Sequence, residues 1–212
     1  MKISTIVVGP FAVNCYLLWD DNGEGVIVDP GAEKDKIIET VNKAGFSPKA
    51  ILLTHGHGDH IAAVADIKVK YNIPLYIGNG EEDLLKNPSA NVSAYFDEPI
   101  IAPDADYLLE DKQIVKFGSI EFQILSTPGH SPAGICYLNE KENLLFTGDT
   151  LFAGSIGRTD FPGCSTEKLL SSIREKILVL PDGIICFPGH GSHTTVGTER
   201  NSNPFLVGDG FV

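Results

Sequence analysis

The stretch Ala50-Ile51-Leu52-Leu53-Thr54-His55-Gly56-His57-Gly58-Asp59-His60 joins two patterns without a break. Its first four residues are a short continuous apolar run, the signature of a strand buried on both faces. The rest puts three imidazoles and one carboxylate within six positions, held apart by two glycines. The same kind of junction recurs along the chain. Val26-Ile27-Val28 runs into Asp29-Pro30-Gly31, and Ile124-Leu125 into Ser126-Thr127-Pro128-Gly129-His130. Leu145-Phe146 runs into Thr147-Gly148-Asp149, and Ile185-Cys186-Phe187 into Pro188-Gly189-His190. Ligands of open α/β sheets collect outside the carboxyl ends of the strands. These junctions therefore predict one shared polar site.

Three segments have helical spacing: Glu33 to Ala44, Asp59 to Tyr71 and Ser165 to Leu178. The first 18 residues read as a pair of strands, and 107–148 as antiparallel strands. Strands and helices alternate early and late, which predicts an α/β protein with mixed sheets covered by helices. No linker divides the chain, so a single domain over 1–212 is expected. The segment from Asn87 to Asp106 holds three prolines and little periodicity. It is expected to be a long surface loop that acts as a lid or faces the substrate.

The composition excludes more than it identifies. A formal net charge of −12 weighs against nucleic-acid binding and against docking on an anionic membrane. No run approaches the ~20 apolar residues of a membrane span. Pro10 and Asn14 interrupt the apolar N-terminus, and no small-residue cleavage site follows. Cys15, Cys136, Cys164 and Cys186 form no C-x-x-C pair and read as free thiols. A cytoplasmic protein is expected.

The histidine cluster points to metal. His55 and His57 can face one ion, and Asp59 and His60 a second. Gly56 and Gly58 are expected to supply the unusual backbone angles of a tight turn. Asp59 also suits the cap of the following helix. A catalytic zinc takes three protein ligands and keeps a position open, so two ions need further donors. His130, Asp149 and His190 are the candidates, and Asp149 has two oxygens with which to bridge. Paired ions about 3.5–4 Å apart are common in metal-assisted hydrolysis. Nitrogen and oxygen donors without cysteine suit Zn2+, with Fe and Mn open.

The ordered set Asp29-Pro30-Gly31, His55-x-His57-x-Asp59-His60, His130, Asp149 and His190 resembles the metallo-β-lactamase superfamily over essentially the whole chain. The resemblance implies a four-layer αβ/βα sandwich of two mixed sheets flanked by helices, with a dinuclear site at one edge. It implies one metal on His55, His57 and His130, and a second on Asp59, His60 and His190, with Asp149 bridging. Asp59 and Asp149 would then be catalytic as well as ligating. Asp29 would not be a ligand but would support the metal loop. Within the superfamily, NCYLL (14–18), TPGHSPAGICY (127–137), LFTGDTLFAGSIGRTDFPG (145–163) and ERNSNPFL (199–206) resemble the short-form glyoxalase II-like hydrolases. Those cleave S-acylglutathione thioesters. Only 22 residues follow His190, so the helical glutathione-gripping domain of the long forms is not expected.

The expected activity is a hydroxyacylglutathione hydrolase-like thioesterase acting on a small-molecule thioester. Two cations lower the pKa of a bridging water toward about 7 and present hydroxide to the acyl carbonyl. The chain offers no Ser-His or Cys-His nucleophile signature. Arg158, within Gly157-Arg158-Thr159-Asp160, is expected either to hold a substrate carboxylate bidentately or to pair with Asp160. His193 has no slot in the pattern. GRTDF (157–161) also resembles the persulfide dioxygenases of the superfamily, which implies an alternative: one iron on His55, His130 and Asp149. A non-catalytic metal-binding protein is the third class. A secreted β-lactamase would want a signal peptide, and a processing nuclease a basic surface.

Overall fold

The computed structural model describes residues 1–207; the single-domain expectation extends over 208–212, which lie outside the described residues. The first sheet is built from β1 (Lys2–Val8), β2 (Val13–Trp19), β3 (Glu24–Val28), β4 (Ser47–Leu52), β5 (Leu75–Gly78) and β6 (Tyr107–Leu109), in that order. β1, β2 and β3 pair antiparallel, and β3 through β6 pair parallel. In the second sheet β7 (Ile114–Phe117), β8 (Ile120–Ser126), β9 (Ile135–Asn139) and β10 (Leu144–Gly148) pair antiparallel in sequence. A hairpin of β11 (Leu151–Phe152) and β12 (Ser155–Ile156) follows. β13 (Ile185–Pro188) then returns parallel beside β10, and β14 (Thr194–Thr195) closes the edge. The helices are α1 (Lys34–Ala44), α2 (Gly58–Ile61), α3 (Val64–Tyr71), α4 (Glu82–Lys86), α5 (Thr166–Ser172) and α6 (Val196–Ser202). Among the described residues no helix is long and apolar enough to cross a membrane.

The alternation of side chains along each strand creates three cores. Cys15, Leu17, Ile27 and Ile51 of the first sheet pack against Ile37 and Val41 of α1 and Val64 and Ile67 of α3. Their sequence neighbours Tyr16, Leu18, Val26 and Leu52 face the second sheet, where Phe122, Ile124, Tyr137 and Phe146 meet them. Leu125, Cys136, Leu145 and Cys186 point outward onto Leu169 of α5 and onto Ile173 and Ile177. The result is helix, sheet, sheet, helix: the expected four-layer sandwich. A strand covered on both faces has no polar side to show, which is why these strands read as unbroken apolar runs. Each fully buried aliphatic side chain contributes about 1.5–3 kcal/mol.

Three expectations are corrected. The 107–148 region is not wholly antiparallel, because β6 pairs parallel with β5 in the first sheet. Asp106 directs it there: its N–H donates to the Leu75 carbonyl at 2.9 Å, and its carboxylate accepts from the Leu75 N–H at 2.7 Å. The helix expected from Asp59 to Tyr71 breaks between Ile61 and Val64. There the Ala63 N–H donates to Pro30 at 3.0 Å. Gly31 lies so close that a Cβ on it would sit 2.0 Å from the Asp59 carbonyl. The Pro30-Gly31 turn thus intrudes on the helix. The third helix starts behind its Ser165 cap, but its last turn, Ile173–Ile177, widens to a π-helix. The 87–106 segment lies at the surface, as expected, with Tyr95 and Ile101 exposed, but it is anchored there. Asn91 and Ser93 are wholly buried. The Asn91 amide donates to the Leu84 and Ile100 carbonyls at 2.8 and 3.0 Å, and the Asn91 carbonyl accepts from Gly58 at 2.8 Å. The segment is fastened onto the histidine loop.

Candidate metal centre

Each strand that ends in a Gly/Pro turn delivers its polar residues to the same end of the sandwich. Asp29 follows β3 in the left-handed conformation (φ 48°), unusual for a non-glycine residue. Its hydrogen bonds hold it there. It accepts from the Thr54 N–H at 2.8 Å and the Thr54 hydroxyl at 2.7 Å, and its Oδ2 lies 3.1 Å from His60 Nδ1. It is not among the converging donors, and it orients the loop that follows β4.

The histidines are oriented from behind. His55 Nδ1 lies 3.0 Å from the Thr54 hydroxyl, His130 Nδ1 2.8 Å from the Arg158 carbonyl, and His190 Nδ1 2.9 Å from the Phe11 carbonyl. A proton held on Nδ1 leaves Nε2 with its lone pair, and a partner on the far nitrogen is how proteins fix a metal-binding tautomer. In all four cases, His60 included, Nε2 is the nitrogen turned inward. His57 presents Nδ1 instead, 2.9 Å from His130 Nε2.

Three sets of donor atoms converge, each within 4.8 Å: His55, His57 and His130; Asp59, His60 and His190; and His55, His60 and Asp149. Asp149 stands between the first two. Its Oδ2 is 3.5 Å from His130 Nε2 and 3.4 Å from His190 Nε2, and its Oδ1 is 3.4 Å from His60 Nε2. His55 Nε2, His60 Nε2 and Asp149 Oδ1 are buried and have no hydrogen-bond partner. Buried polar atoms rarely go without partners. Three at one point, all lone-pair donors, fit a metal cation. The protonation balance agrees. Burial, with neighbouring imidazoles, pushes His55 well below its ordinary pKa and His57 to about 3. Burial also opposes charge on His60 and His190, but Asp149 and Asp59 outweigh it, holding His60 well above its usual value and His190 at about 10. Burial would raise Asp149, yet His60 and His190 hold it well below the carboxylate range. The two carboxylates thus demand positive charge at the inward nitrogens, where a divalent ion would replace the protons.

The two glycines of the histidine loop act otherwise than expected. Neither takes a positive φ. They provide room: a Cβ on Gly56 would lie 2.6 Å from the Leu84 side chain, and one on Gly58 2.6 Å from that of Ser93. Asp59 does not cap α2; His57 precedes the helix and Asp59 sits in its first turn. Arg158 forks onto Asp160, with Nε–Oδ1 2.9 Å and Nη2–Oδ2 2.7 Å, and lies 4.5 Å above the Phe161 ring. This is the expected ion pair with Asp160. His193 lies outside the centre, stacked on Phe187. All four cysteines are free.

Two further residues organise the site. Glu81, wholly buried, accepts from the Gly56 N–H at 2.9 Å and the Ala133 N–H at 2.6 Å. It clamps the loop of His55 and His57 to the loop of His130. Asn14 donates to the Pro188 and Gly191 carbonyls at 3.0 and 2.9 Å, fixing the turn of His190. Both act on backbone groups far along the chain, which leaves no trace in local sequence. Above the donors opens a cleft of about 530 Å³ with Phe11, Tyr95, Phe96, Phe152 and Phe161 on its walls and Arg158 beside them.

A family model described as the metallo-beta-lactamase superfamily matches residues 8–190. The hydroxyacylglutathione hydrolase GloC of Haemophilus influenzae is 40% identical over 97% of this chain and 98% of its own length. Among solved structures, the BLEG-1 B3 metallo-beta-lactamase superposes with a TM-score of 0.94 at 42% identity, covering 98% of this chain and 100% of that one. TTHA1623 in a di-iron-bound form superposes with a TM-score of 0.87 at 35% identity, covering 96% of this chain and 100% of that one.

Proposed function

The chain belongs to the metallo-β-lactamase superfamily, and from that premise we propose that it is a dinuclear metal-dependent hydrolase of S-acylglutathione-type thioesters. The observation that carries the reading is the convergence of seven donors around three buried, unpartnered lone pairs. His55 Nε2, His57 Nδ1 and His130 Nε2 would hold one ion, and Asp59, His60 and His190 the other, with Asp149 between them. Two divalent cations, zinc first and iron or manganese next, would supply Lewis acidity and a water that ionises near neutral pH. The chain's own residues do the rest. Asp29, Thr54 and the Phe11 and Arg158 carbonyls hold the imidazoles rigid, so little reorganisation is needed during reaction. The aromatic walls of the cleft would hold the acyl carbon beside the donors. There a C–O bond forms and the C–S bond breaks. A thiol of pKa about 8.5 departs as thiolate without a general acid and then takes up the proton that water lost, while the carboxylic acid formed releases its own proton to solvent.

Arg158 serves the thiol arm in this reading. Its pair with Asp160 is exposed, and such pairs are worth little, so a substrate carboxylate can take Asp160's place. Arg158→Ala is expected to raise KM several-fold for glutathione thioesters and to leave kcat within about threefold. The unpaired cysteines suit a reducing compartment, and the cytoplasm is part of the proposal.

The test is to load the protein with zinc, iron or manganese, measure metal per chain, and assay S-lactoylglutathione and simpler thioesters. Two metals and metal-dependent hydrolysis are expected. Absence of hydrolysis on every thioester overturns the reading. The second reading, a persulfide dioxygenase-like oxidoreductase with iron on His55, His130 and Asp149, rests on the Gly157-Arg158-Thr159-Asp160-Phe161 motif. Oxygen uptake with glutathione persulfide at one iron per chain would favour it.

A further inference from the structure

Phe11 and Phe96 line a second cavity as well as the cleft. Behind these rings, whose centroids are 4.8 Å apart, lies a second hollow of about 140 Å³. Val8, Pro10, Val13, Ala32, Ala62 and Ile100 wall it. It shares Phe11, Asp59 and Phe96 with the main cleft, so it abuts the metal centre on the Asp59 side. Asp59 is the one ionisable side chain among its described lining residues, and that carboxylate faces the donors. The hollow exists because small residues line it where α2 breaks off and because the β1–β2 turn arches across it. None of the chemistry above uses it.

The main cleft carries the complementary character, for Arg158 lines it and does not line the hollow. Arg158 is the one permanent cation among the described lining residues. A thioester has two arms, one on each side of its carbonyl. A thiol arm that bears carboxylates matches Arg158. A hydrocarbon arm matches the hollow, where water would find few hydrogen-bond partners. Resting on the thioesterase reading, we infer that the hollow walled by Val8, Val13, Ala32, Ala62 and Ile100 is an acyl-binding subsite that selects unbranched aliphatic acyl groups longer than acetyl. Burying each methylene favours binding by about fourfold.

The experiment compares S-acetyl-, S-butanoyl- and S-hexanoylglutathione, which share one thiol, on the metal-loaded protein. kcat/KM is expected to rise at least tenfold from acetyl to hexanoyl. Ala62→Leu and Ala32→Leu fill the hollow from two sides and should cut the hexanoyl-to-acetyl ratio at least fivefold. A flat series, or a rise that both variants keep, overturns the subsite. If no thioester is cleaved, the thioesterase reading fails, and binding decides the subsite separately. S-hexylglutathione and S-methylglutathione, thioethers that resist hydrolysis, are titrated calorimetrically into wild type and both variants. The hexyl compound should bind at least tenfold tighter to wild type and lose that advantage in the variants. Equal affinities in wild type, or an advantage that survives in both variants, overturn the subsite whatever reaction the enzyme performs.

Discussion

At the scale of single residues, Asp149 and Glu81 are two carboxylates that would serve the proposed metal site in different ways. Asp149 faces three imidazole nitrogens at 3.4–3.5 Å from a half-buried position. Asp149→Ala is expected to lose metal and activity together; a variant that keeps full activity would remove the bridging role. Glu81 touches no metal-facing atom. Glu81→Gln would replace one acceptor with an amide N–H directed at a backbone N–H. The expected cost is about 1–3 kcal/mol, lowering Tm by roughly 2–10 °C and easing metal removal by chelator. Unchanged melting and chelator resistance would show that the clamp is idle. The placing of the first residue among the imidazoles was legible in the sequence, because His and Asp recur there at the ends of apolar runs. The second was not. Glu81 belongs to no motif, and the amides it holds lie 25 and 52 residues away. The tight-turn role assigned to Gly56 and Gly58 was misread for a related reason. Their need for space comes from Leu84 and Ser93, and sequence proximity does not reveal either neighbour.

At the scale of elements, the strands were legible because both faces are covered, whereas the ends and breaks were set by contacts between elements. The split between α2 and α3 follows from a carbonyl on another loop, and the pairing of β6 follows from Asp106. Asp20 ties the turns of the two sheets. It accepts from the Asn22 and Glu24 N–H groups at 2.9 and 3.0 Å, and from the Ser119 N–H and hydroxyl at 3.0 and 2.9 Å. These bonds, led by that of the Ser119 backbone, lower its pKa from 3.8 to about 2. A carboxyl whose folded pKa is depressed stabilises the fold above its unfolded pKa and loses that contribution as pH falls through the folded one. Acid unfolding should therefore steepen between pH about 4 and about 2, and Asp20→Asn should flatten that limb. Parallel acid curves for the two proteins would contradict the assignment.

At the scale of the whole molecule, the donors come from both sheets. His55, His57, Asp59 and His60 follow β4 of the first, while His130, Asp149 and His190 follow β8, β10 and β13 of the second. The sequence could not say which strand joined which sheet, because strands covered on both faces look alike. It did show that their ends converge. Metal held across the two sheets would bind the folded chain in preference to the unfolded one. At a free concentration 100-fold above Kd it should stabilise by about 2.7 kcal/mol and raise Tm by roughly 5–10 °C. An unchanged Tm after chelation would deny that the centre spans the sheets. One feature has a longer reach. The carbonyls that steady His190 and His130 belong to Phe11 and Arg158, whose side chains line the cleft. Every amino acid has that carbonyl, so the side chains at 11 and 158 are free to drift under selection while the imidazoles keep their aim. Substrate preference can therefore diverge across descendants of one ancestor at these two positions without a founding loss of the metal.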